Sequence, residues 1–65
     1  MKLSEIKKAK ETLYEVAVAS LGLCYCDDTL ISDEAKSINR NTHKVYDMLS
    51  KEENAIEYEQ RKAGE

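Results

Sequence analysis

Nothing in this chain forces its backbone to bend: 65 residues contain no proline and only two glycines. Strands need turn residues between them and draw on β-branched and aromatic side chains. Here Ala, Leu, Lys and Glu dominate, and the only aromatics are four tyrosines. The expected class is all-α, in one small domain spanning residues 1–65. A chain of this length buries only about 60% of the surface its unfolded form exposes, so its core is marginal unless something else covers it.

The first helix is expected from about Ser4, a good N-cap with Glu5 in the first turn, to about Cys26. It carries two apolar stripes. Ile6, Ala9, Leu13, Val16, Ser20 and Leu23 follow one spacing of three and four, and Tyr14, Val18, Leu21 and Tyr25 follow another displaced around the helix. Asp27, Asp28 and Thr29 are turn formers, and Ser32-Asp33-Glu34 is a start signal, so a turn is expected over 27–32 and a second helix over about 33–62. From Ile31, Ala35, Ile38, Thr42, Val45, Leu49, Glu52, Ile56, Glu59 and Ala63 keep heptad phase, which makes one narrow seam. Ser50 with Glu53 matches a capping box and allows a break near 50 with a third short helix beyond it. The unbroken phase of the seam favours one continuous helix.

The expected architecture is an antiparallel helical hairpin. One stripe of helix one has no counterpart on helix two, and packing two hairpins into a four-helix bundle would cover it. The second helix also outreaches the first, leaving Ile56 and Tyr58 as apolar residues among charges. Tyr14, Val18, Leu21, Tyr25, Ile56 and Tyr58 are therefore the expected interface, whether with a second copy or with a different protein.

Charge alternates in blocks along the chain: +3 over residues 1–10, −6 over 11–35, +3 over 36–51 and −3 over 52–65. Such blocks favour an antiparallel or intermolecular alignment over uniform attraction to a polyanion. Lys36, Arg40 and Lys44 nevertheless recur every four residues, and a dimer would double that stripe. They are the candidate contacts for structured RNA.

No residue pattern points to catalysis. The two thiols, Cys24 and Cys26, and the single imidazole, His43, fall short of a four-ligand zinc set. On a helix, positions two apart point about 200° from each other, so the cysteines read as small buried hydrophobes. His43 has no nucleophile near it in spacing, and no phosphate-binding glycine loop or calcium-binding loop is present. No catalytic, cofactor or metal site is expected. The longest apolar run, Val16 to Cys26, has eleven residues, too few for the roughly 20 that cross a bilayer, and it is not preceded by a secretory-type start. The chain reads as a complete cytoplasmic protein with reduced thiols. On this reading it is a non-enzymatic protein-interaction module, an adaptor, inhibitor or regulator of the kind phages and mobile elements carry. An RNA-binding four-helix regulator is the alternative.

Overall fold

The computed structural model describes residues 1–64 and contains two helices, α1 (Leu3–Leu23) and α2 (Thr29–Ala63), folded back on one another as a hairpin. α2 runs without interruption through Ser50. At about 1.5 Å per residue, its 35 residues make a rod of ~52 Å, and the whole molecule measures 55 × 15 × 15 Å. The 21 residues of α1 cover only part of that length.

Both helix starts differ from the sequence expectation, and the hydrogen bonds explain one of them. Asp28, extended at φ −80° and ψ 111°, caps α2: its Oδ1 accepts from the Ile31 backbone N–H at 3.1 Å. The connection is therefore Cys24 to Asp28, earlier than 27–32, and Ser32 lies one turn inside α2. The Ser32 hydroxyl is occupied elsewhere, donating to the Cys24 carbonyl at 2.6 Å. That bond satisfies a carbonyl that the end of α1 leaves without a helical partner, and it ties the two helices together at the turn. α1 begins at Leu3 with Lys2 in the capping position, extended but with no side-chain bond to the helix, so Ser4 is helical rather than a cap.

The helices are aligned by polar contacts along their length. Near the turn lies the Ser32–Cys24 bond. At mid-length, the Asn39 side-chain amide donates to the Ala17 carbonyl at 3.0 Å and to Ser20 Oγ at 3.1 Å. At the far end, Lys10 Nζ lies 3.5 Å from Glu53 and 4.9 Å from the Tyr46 ring centroid, and Lys7 lies 3.9 Å from Glu57. The basic first block thus meets the acidic last block, an antiparallel match of opposite charges within one chain.

Small residues sit on the contact line. Ser20, Ser32, Thr42 and Ala35 are buried, and Ile6 is the one large side chain fully enclosed among the described residues. The heptad seam of α2 consequently splits. Ala35 and Thr42 turn into the hairpin and Leu49 and Ile56 are half-buried, whereas Ile31, Ile38 and Val45 remain 49%, 48% and 44% exposed. The first stripe of α1 splits likewise: Ile6 and Ser20 are covered, but Val16 and Leu23 are 40% and 49% exposed. In this arrangement the polar flank of α2, and not the middle of its apolar seam, faces α1, and Asn39 makes its two bonds into α1 from that flank.

Candidate partner-binding surfaces

The hairpin has two broad sides, and each carries residues singled out by the sequence. Tyr14, Val18 and Leu21 form an exposed line on α1, and Tyr25 follows in the turn just beyond its end, with Tyr14 and Tyr25 65% and 83% exposed. None of the four is covered by α2. Tyr14 borders a shallow cleft between the helices, shared with Leu13, Ala17, Thr42, His43 and Tyr46. Beside it, Lys36, Arg40 and Lys44 line an adjoining depression with Cys24, Asn39, His43 and Asp47. The tyrosine line and the basic stripe, read from the sequence as marks of two alternative functions, therefore lie next to each other on one face. Asp47 places a carboxylate inside the basic stripe.

Ile56 and Tyr58 do not share a face of α2. Two positions apart on a helix, they point about 200° from each other. Ile56 is half-buried and Tyr58 is 62% exposed. By the same helical geometry Tyr58 falls on the side of Arg40 and Asp47, and Ile56 on the side of Ile38 and Val45. The acidic end of α2 is also less free than its sequence suggests, because Glu53 and Glu57 are engaged by Lys10 and Lys7. Glu52 and Glu59 make no ion pair among the described residues and remain exposed.

The opposite side of the hairpin was not evident from the sequence. Leu23 of α1 lines one open cleft with Leu30, Ile31, Ala35 and Ile38 of α2, and Glu34 lines it too. Val45 and Val16 continue this aliphatic strip along the molecule. The signal that could have located it was the polar flank of α2: Ser32, Asn39 and Tyr46 recur every seven residues beside the seam, and a helix placing those against its neighbour leaves the next flank bare.

Cys24 is buried and Cys26 half-buried, both as free thiols, with Cys26 Sγ 3.4 Å from the Asp28 carbonyl. Because α1 ends at Leu23, the pair lies in the turn, and the helical angle that separated the two thiols in the sequence argument does not apply. Among the described residues no three or more His, Cys, Asp or Glu side chains cluster as metal ligands. His43 is exposed. No described helix is long and apolar enough to cross a membrane. No protein-family model matches the chain, and no curated protein or solved structure is significantly similar to it.

Proposed function

We propose that this protein is a non-enzymatic interaction module: a helical hairpin that pairs into a four-helix dimer and binds, and so occludes, a surface of another protein. One observation carries the reading, the line of Tyr14, Val18, Leu21 and Tyr25 standing clear of α2. Tyrosine supplies large contact area at low conformational cost, and Tyr14, Val18 and Leu21 recur on α1 at the four- and three-residue spacing with which a helix enters a groove, with Tyr25 in the turn beyond them. Lys36, Arg40 and Lys44 lie beside the tyrosine line, whereas Glu52 and Glu59 continue the Ile31–Ile38–Val45 line on the other side of α2. The partner surface is thus a groove with apolar centre and a charged rim, and the contact weakens with salt.

The test is capture from a host extract by the wild-type protein and by Tyr14→Ser/Tyr25→Ser. Proteins retained by the wild type and lost with the double variant, with retention falling as salt rises, support the reading. An identical set retained by both contradicts it.

The position of the basic stripe in a depression flanked by tyrosine supports a second reading, contact with structured RNA through Lys36, Arg40 and Lys44. A gel shift abolished when all three are changed to glutamate would favour it. No shift at low salt would remove it.

A further inference from the structure

The aliphatic side of the hairpin is an apolar face that α1 and α2 leave uncovered. The accessible surface is 5261 Å², whereas a compact monomer of 7.4 kDa exposes about 4,200 Å². The excess, on the order of 1,000 Å², matches the roughly 800 Å² that each partner contributes to a stable interface. The radius of gyration tells the same story: 15.6 Å, against about 11 Å for a compact chain of this length.

The exposed apolar residues of α2 follow a definite pattern. Ile31, Ile38 and Val45 sit seven residues apart on α2 and are each close to half exposed, while the alternate seam residues Ala35 and Thr42 are buried against α1. A seven-residue apolar line with one flank already packed is half of a coiled-coil seam, and knobs-into-holes packing needs the other half from a helix of the same repeat. Val16 and Leu23 widen the strip on the α1 side. Between Ile31 and Met48, Glu34 is the one charged residue at its edge, and the line ends where its next position becomes Glu52.

We infer that a second copy of this chain docks on the strip formed by Val16, Leu23, Ile31, Ile38 and Val45, leaving the tyrosine line on the opposite side uncovered. The inference rests on the dimer proposed above and assigns its face. A second copy is the occupant because it presents the same repeat and buries the same area from its own side. It is also present wherever the chain itself is, as a hairpin with one fully enclosed large side chain requires. The dimer then exposes two tyrosine lines, one on each outer side, and the molecule is bivalent toward its partner.

Light scattering under reducing conditions, which exclude disulfide dimers, separates the outcomes. The wild type is expected at twice the 7.4 kDa chain mass. Ile38→Glu is expected to bring it to the mass of one chain, and Leu21→Glu to leave it doubled. A wild type at the mass of one chain overturns both the dimer and its face. A dimer abolished by Leu21→Glu and indifferent to Ile38→Glu keeps the dimer and overturns the face. Because Ile38→Glu could unfold the chain, alkylation provides a second readout on milder variants. An Ile38→Cys thiol is expected to react more slowly as protein concentration rises, and a Leu21→Cys thiol at a constant rate. Concentration-independent reaction at both positions would overturn the assignment.

Discussion

Asn39 ties α2 to α1 at mid-length. Its amide donates to a carbonyl and a hydroxyl of α1, and Ser20 donates in turn to the Ala17 carbonyl at 3.0 Å, so the polar groups at mid-length form one connected set. An asparagine in a helix–helix seam costs stability relative to an apolar residue and fixes which residues lie opposite one another. Asn39→Ala leaves no acceptor stranded, because Ser20 still reaches Ala17. The expected loss is about 1–2 kcal/mol from two hydrogen bonds and a small cavity, read as a lowered midpoint in urea. Ser20→Ala is expected to cost less, because the Asn39–Ala17 bond survives it. The sequence showed Asn39 only as a poor helix former in a weak stretch. Its role depends on the residue twenty-two positions earlier that accepts its bond, and no local pattern carries that.

At the scale of the helix, caps make the sharpest predictions. Asp28→Ala removes the acceptor for the Ile31 N–H and should cost about 1 kcal/mol. Lys2 occupies the opposite situation, with capping geometry and no capping side chain, and a cation at the positive end of a helix is unfavourable. Lys2→Asp should therefore stabilise the protein by about 0.5–1 kcal/mol, seen as a raised thermal midpoint. The last residues of α2 should show the third consequence. From Tyr58 to Ala63 every side chain is exposed, and amide exchange there should be markedly faster than from Ala35 to Leu49. Both helices were legible in the sequence because periodicity over twenty or more residues outweighs local ambiguity. The turn was misplaced by several residues because Asp28 and Ser32 both match an N-cap, and only the competing bond to the Cys24 carbonyl decides between them.

For the molecule as a whole, the shortage of core was legible from length alone, and length also raised the expectation of a further covered surface. Which surface was not legible. The tyrosine line stood out because it is displaced from the first stripe of α1, and it is indeed uncovered by α2. The aliphatic strip was hidden inside a heptad pattern that a two-helix hairpin could have used in full. α2 presents its polar flank to α1 instead, so half of that seam is left over. On the proposed reading the two exposed faces divide the work: a second copy covers the aliphatic side, and the tyrosine side, rimmed by Lys36, Arg40 and Lys44, is left for the partner.

The central claim is that the folded hairpin is completed by its own second copy, and thermal unfolding measured against protein concentration tests it most directly. When two chains fold as one unit, dilution favours the unfolded chains, so the midpoint followed by circular dichroism under reducing conditions should rise steadily over about a hundredfold increase in concentration. A midpoint that stays constant across that range would mean that one chain folds alone, and would contradict the account.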